Sequence, residues 1–446
     1  MGTSPGSSAP PAALDPAALG AVDAGPPPPV CPPMDKALAA PFELETKVLT
    51  VKPPEIVDEK HMLGHFYKRL AEIARGTAKD HVRIGVYGDS NMTMDYMTGQ
   101  MRRTLAARFG DAGHGYVALS RPWPWYLHQD VRHDINLRDW KQIATSTNQV
   151  GDGQYGFANM AAESSTPGAT AWLQTATDAS PIGKSCSRLD VYYLKGSTRG
   201  SFQIKVDGKA LRTINTGATE TEAGFEKIEV EDGAHKLECV ALGNGKVRLF
   251  GATMERQPAE KKFGVTVDSL GVGALNFEQM QHVNSKVRVQ MLEHRKYDLV
   301  VFLLGTNMFV PSLHGKWVDN VLKDFRAALP ETPILILSPP DIVLHGSDEH
   351  SDPRIVNLAK QMKGIAAKQD AAFWDFRDAM GGDIAIKKFR TLGLAAPDYV
   401  HLSKEGGGIM GNRLVYSLFA DMQTWLASNP DAGCEMATGY RPHAAP

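Results

Sequence analysis

The stretch RIGVYGDSN, Arg83–Asn91, decides the reading of this chain. Ile84, Val86 and Tyr87 form a β-prone apolar run that stops at Gly88-Asp89-Ser90, and residues 92–109 then carry apolar side chains at helical spacing. Ser90 is therefore expected on a strand-to-helix turn at the carboxyl edge of a parallel sheet. A hydroxyl can be exposed there, and backbone N–H groups at a helix start can face a developing negative charge. Taken alone, Gly-Asp-Ser is more often an ordinary turn with a helix cap.

On the amino-terminal side, HMLGHFYKRLAEIAR (61–75) places Met62, Phe66, Leu70 and Ile73 on one face of an amphipathic helix leading into the Ile84 strand. Before it, residues 1–55 are rich in Pro, Ala, Gly and Ser, include the run PPPPV, and predict a disordered or extended tether. The first twenty residues lack the basic start and apolar core of a secretion signal.

On the carboxyl side, GDAGHGYVALSRPWPWYLHQD (110–130) carries Gly and Pro punctuation and predicts a long loop near a site. Trp123, Trp125 and Tyr126 offer either flat faces for stacking on sugar rings or aromatic packing beneath the loop. Between residues 136 and 260 the period shortens to two. ATAWLQTAT, SRLDVYYLK, GSFQIKVDG, FEKIEVEDG, AHKLECVAL and KVRLFGATME alternate between Gly, Asn and Asp turns, as in an inserted β-sandwich or jelly roll. From Gly264 the α/β rhythm returns with GVTVDSLGVGALNF, YDLVVFLLGTNM, TPILILSPPD and AAFWDFRDAMGG, and a helix is expected over 353–368. Asp398 and His401 lie in a loop before a last helix, and residues 431–446 form a tail.

The chain has 446 residues, 43% of them hydrophobic and 22% charged, an ordinary globular composition for two or three domains. A net charge of −2 supplies no electrostatic reason for a nucleic-acid partner, and no apolar run approaches the length of a membrane span. Cys31, Cys186, Cys239 and Cys434 have no metal-ligand spacing. Cys186 and Cys239 share a β-rich region, so they either pair in an oxidising compartment or remain buried thiols.

A serine hydroxyl needs a base to become nucleophilic at neutral pH. His401 can supply it, and Asp398 can orient the imidazole. The Ser90 N–H, a glycine N–H from the turn through Gly271 and Gly273, and the Asn307 amide can serve as oxyanion donors.

In this order, GDSN (88–91), DSLGVGA (268–274), LGTN (304–307) and DYVHLSKEG (398–406) resemble the blocks of the SGNH, or GDSL, hydrolase family. The resemblance runs from His61 to Leu426. It implies a flavodoxin-like three-layer α/β/α domain (56–135 and 261–430) interrupted by an inserted β-sandwich domain (136–260). Within the family, the insert and WDFRDAMGG resemble those of peptidoglycan O-acetylesterases with a carbohydrate-binding-module-like insertion. Carried over by position, Ser90 would be the nucleophile, His401 the base, Asp398 its partner, and Gly273 and Asn307 oxyanion donors, with no cofactor or metal. The substrate would be an O-acylated glycan of the periplasm or cell envelope. Asn91 departs from the Leu or His common in the family, and Gly271 competes with Gly273 for the oxyanion role.

Overall fold

The computed structural model describes residues 1–2, 31–257, 262–308 and 310–434. Most of the expected tether, with its PPPPV run, and residues 435–446 of the expected tail lie outside the described residues.

After a short helix α1 (Lys36–Ala39), the amphipathic stretch forms α2 (Gly64–Arg75), buries Phe66, Leu70 and Ile73, and ends at Gly76 in the left-handed conformation. Strand β1 (Val82–Gly88) follows, then a 3₁₀ turn (Ser90–Met92) and helix α3 (Tyr96–Phe109). The helix begins later than the apolar pattern predicts. The Asp89 carboxylate accepts the Asn91 N–H and closes a 3₁₀ turn, and Asp95, at φ 55°, breaks the chain before α3 can start.

Antiparallel strands come next: β2 (Gly113–Ala118), β3 (Val131–Ile135), β4 (Lys141–Ala144), β5 (Met160–Ser164), β6 (Thr170–Thr175), β7 (Cys186–Lys195), β8 (Ser201–Val206), β9 (Lys209–Asn215), β10 (Glu222–Gly233), β11 (Lys236–Ala241) and β12 (Val247–Glu255). The α/β part then continues with β13 (Val265–Gly271), α4 (Phe277–Met280), α5 (Ser285–Arg295), β14 (Leu299–Leu303), α6 (His314–Ala328), β15 (Ile334–Leu337), α7 (Pro353–Lys368), β16 (Ala372–Trp374), α8 (Phe376–Met380), α9 (Ala385–Thr391) and α10 (Lys404–Ser428). No described helix is long and apolar enough to cross a membrane.

The parallel sheet has the order β13-β1-β14-β15-β16. Its strands are buried on both faces. Val82, Ile84 and Val86 join Val301 and Leu335 in a core with α2, α3 and α10, while Tyr87, Phe302 and Ile336 point into a second core with α4 to α7. Near-continuous apolar strands are what such a covered parallel sheet requires.

The remaining strands make two antiparallel sheets, β10-β7-β12-β5-β4 with β2 paired to β12, and β3-β6-β11-β8-β9. One apolar cluster draws on both, with Leu189, Val191 and Leu249 from the first and Leu173, Ile204 and Leu237 from the second. The opposite face of the first sheet, through Tyr192, Leu194 and Phe250, belongs to the core shared with α5.

A buried ion network ties the two parts together. Arg83 on β1 donates to Glu255 on β12 at 2.8 and 2.9 Å, and Arg295 on α5 pairs with the same carboxylate. Arg295 also donates to Asp268 on β13 at 2.7 and 2.8 Å, and Asp268 accepts the Tyr116 N–H of β2.

The structure corrects one expectation, qualifies a second and decides between the alternatives of a third. Residues 31–54 are mostly exposed, but are tied to the α/β part at several points. Leu49 is buried, Arg108 donates to the Ala40 carbonyl, Gln423 to that of Ala39 and Arg413 to that of Val51. The stretch read as one long loop from 110 contains β2, and antiparallel pairing thus begins ahead of residue 136. Gly113 and Gly115, both at positive φ, hide the alternation that would have marked it. Cys186 and Cys239 are buried free thiols, and the disulfide joins Cys31 to Cys434 across 403 residues of sequence.

Candidate active site

Strand register brings the distant blocks to one edge. Gly88, the last residue of β1, pairs with Gly271 on one side and Leu303 on the other. Ser90 lies two residues beyond Gly88, Gly273 two beyond Gly271 and Asn307 four beyond Leu303. All three therefore project from adjacent carboxyl ends of the parallel sheet.

The fourth block closes over this edge from the start of α10. Ser403 caps that helix, its hydroxyl accepting the Gly406 N–H, and the preceding loop is pinned by Ala396 N–H to the His401 carbonyl and Ser403 N–H to that of Leu394. His401 Nε2 stands 2.8 Å from Ser90 Oγ, and its Nδ1 stands 2.7 Å from Asp398 Oδ2. Asp398 Oδ1 accepts the N–H groups of Val400 and His401 at 3.0 and 3.1 Å. Burial alone would raise the Asp398 carboxyl, but the His401 hydrogen bond and these N–H groups outweigh it and hold it below the usual carboxylate range. The aspartate is thus a fixed anion that orients a half-exposed imidazole toward the serine.

Donors near Ser90 are left unengaged. Among the described residues neither the Ser90 N–H nor the Gly273 N–H has an acceptor, and the buried Asn307 Nδ2 has none either. The Asn307 carbonyl is held by Asn276 Nδ2 at 2.9 Å, which fixes this turn. A buried amide without a partner is costly unless something comes to occupy it.

The two glycines divide their tasks. Gly271 ends β13 inside the sheet, where an added Cβ would stand 2.4 Å from the Met92 carbonyl carbon, so its lack of a side chain admits the Ser90–Met92 turn. Gly273 lies in the turn beyond, where a Cβ would meet the Trp123 ring at 2.9 Å. Asp89 takes no part in the chain from Ser90 to Asp398. It is buried, and burial raises its carboxyl against the opposing Asn91 N–H.

Sequence reasoning passed over one contributor. The Asn91 Oδ1 accepts the Leu402 N–H at 3.0 Å and its Nδ2 reaches the Val400 carbonyl at 3.5 Å, so the residue after the serine grips both neighbours of His401. Its departure from the family pattern was the available signal. Tyr126 is corrected as a candidate stacking surface: it is buried, with its hydroxyl 2.8 Å from His128 Nε2. Trp123 is half-buried and Trp125 exposed. A cavity of about 400 Å³, lined among others by Met308, His314, Ile342 and Leu358, opens beside Thr306.

No protein-family model and no curated protein matches this sequence. Among solved structures, the chain shares its fold with a peptidoglycan O-acetylesterase, with a TM-score of 0.68 over 83% of this chain and 99% of that one at 22% identity. A family two carbohydrate esterase from Clostridium thermocellum matches over 60% of this chain and 95% of its own at 14% identity, but its TM-score of 0.28 is too low to carry an argument.

Proposed function

We propose that this chain, which has the fold of a peptidoglycan O-acetylesterase, is itself an SGNH-type serine esterase that removes small acyl groups, acetyl foremost, from a cell-envelope glycan such as peptidoglycan. The observation that carries this reading is the hydrogen-bonded chain Ser90–His401–Asp398 beside three unengaged donors.

In the proposed reaction His401 takes the Ser90 proton as Oγ attacks the ester carbonyl. The Ser90 N–H, the Gly273 N–H and Asn307 Nδ2 hold the oxyanion, and Gly273 is preferred to Gly271 because its N–H lies beyond the sheet ladder. His401 then returns the proton to the departing sugar oxygen, leaving an acyl-serine. It next deprotonates a water that attacks this ester, so that the acid departs and Ser90 recovers its proton. No step calls for a metal or an organic cofactor.

The two antiparallel sheets are taken as a β-sandwich insertion in the hydrolase domain, supported by their shared apolar cluster. A periplasmic or extracellular location follows from the substrate and is supported by the Cys31–Cys434 disulfide, since such bonds persist in oxidising compartments.

Acetate release from O-acetylated peptidoglycan, acetylated xylan and 4-nitrophenyl octanoate tests the assignment. Peptidoglycan should be the best substrate by kcat/KM. Preference for the octanoate would move the reading to a lipase or thioesterase, which the cavity beside Thr306 would accommodate. A new ester on a glycan acceptor in place of free acetate would make the enzyme an O-acetyltransferase, and no turnover of any ester would leave a glycan-binding module on a decayed hydrolase.

A further inference from the structure

The loop Arg121–His128 touches the nucleophile turn through Thr93. The Thr93 hydroxyl donates to the Ser90 carbonyl at 2.8 Å, and the Thr93 carbonyl accepts the Leu127 N–H at 3.1 Å. On the other side, Trp123 packs against Gly273 and the core beneath it. The loop therefore walls the site on the side of the glycine turn.

It is also held in one shape. The Arg121 N–H donates to Gln142 at 2.7 Å, the Tyr126 N–H to the Trp123 carbonyl at 3.1 Å, and Arg121 Nη2 to the Pro124 carbonyl at 3.0 Å. Pro122 and Pro124 further restrict the backbone. On this braced ridge Trp125 is 47% exposed and forms no hydrogen bond to another described residue, and Arg121, which holds the carbonyl just before it, also pairs with Asp134 at 3.3 Å.

A large ring held out in water on an immobile loop contributes nothing to folding that a smaller residue would not. It is suited to a ligand with one flat apolar face and a rim of hydroxyls, the apolar face for the indole and the hydroxyls for Arg121 and Asp134. A fatty acyl chain would need an enclosed apolar groove, whereas this ridge is open and flanked by charge. We infer that the Trp123-Pro124-Trp125 ridge is a pyranose subsite, with Trp125 the stacking platform for a sugar ring of the glycan next to the acylated one. This deepens the esterase reading and rests on it for the identity of the glycan.

The test uses the full chain. Binding of soluble O-acetylated peptidoglycan glycan strands is measured by calorimetry for Ser90→Ala, and for Ser90→Ala combined with Trp125→Ala or Trp125→Phe. The Ala variant should raise Kd about tenfold or more, the scale of a lost aromatic contact, and Phe should restore most of the affinity. With Ser90 intact, Trp125→Ala should lower kcat/KM for the strands far more than for 4-nitrophenyl acetate, chiefly through KM. An unchanged Kd, equal losses on strands and small ester, or a loss confined to 4-nitrophenyl octanoate would overturn the subsite. If no ester is hydrolysed by the wild type yet Trp125 still sets the affinity for strands, the esterase reading falls and the subsite stands.

Discussion

In the proposed reaction Asn91 would position the site without touching the reacting atoms. Its carboxamide joins the nucleophile turn to the backbone on both sides of His401, through Leu402 N–H and the Val400 carbonyl. Removing it would leave Ser90 and His401 in place chemically but free to drift apart, and small displacements of reacting groups carry large rate costs. Asn91→Ala should therefore lower kcat for 4-nitrophenyl acetate about ten- to a hundredfold with little change in KM. Asn91→Asp keeps the acceptor for Leu402 N–H and should recover part of the loss. A change in KM alone, or Asp no better than Ala, would remove the positioning role. Ser90, Asp398 and His401 could be proposed from the sequence because the Ser90 block ends a strand and the other two stand in one block before the last helix. Asn91 could not, because its partner loop is brought to it only by the fold.

At the scale of elements, the aromatic loop rests on two buried histidines and the partly buried His133. His114 Nε2 lies 3.2 Å from His128 Nδ1, and the ring centres of His128 and His133 are 5.4 Å apart. Asp95, Arg102, Arg121 and Asp134 face them. Burial holds these imidazoles neutral, opposed by Asp95 and Asp134 and reinforced by Arg102 and Arg121, with His128 lowered to about 4 and His133 to about 3. In the unfolded chain each would take up its proton near pH 6.5. The unfolded state then binds more protons, so this stability is complete above pH 6.5 and is lost as pH falls toward the folded values. The melting temperature should drop between pH 7.5 and pH 5, and less so in His133→Gln. A flat profile over that range would contradict the account.

Elements were legible where burial follows a simple period. Strands β14 and β15 are unbroken apolar runs, α7 begins at its proline, and the alternating β6, β8 and β11 stand out between turns. Strand β9 escaped because nearly all of it is exposed, and α5 because it buries Arg288 and Arg295 where an apolar residue would be expected. Those arginines are matched by Asp324, Asp268 and Glu255, partners that no local pattern announces.

For the whole molecule, Glu255 is the hinge pin between the antiparallel strands and the parallel sheet. Burial would raise its carboxyl, yet Arg83, Arg295 and Arg188 hold it well below the usual range. Replacing one member of a buried ion network leaves its partners uncompensated, at a typical cost of about 3–5 kcal/mol. Glu255→Gln should therefore lower the denaturation midpoint by a corresponding amount in a urea titration. A variant as stable as the wild type would show that Glu255 contributes nothing to joining the two parts. The Cys31–Cys434 bond is another long-range tie, and nothing in the local sequence around either cysteine pointed to the other.

The central claim is that Ser90, activated by His401 and Asp398, is the nucleophile of an esterase. Its most direct test is the turnover of 4-nitrophenyl acetate by pure Ser90→Ala protein whose circular dichroism and melting temperature match the wild type. The account predicts that hydrolysis falls to the uncatalysed background, and turnover at the wild-type rate would contradict it.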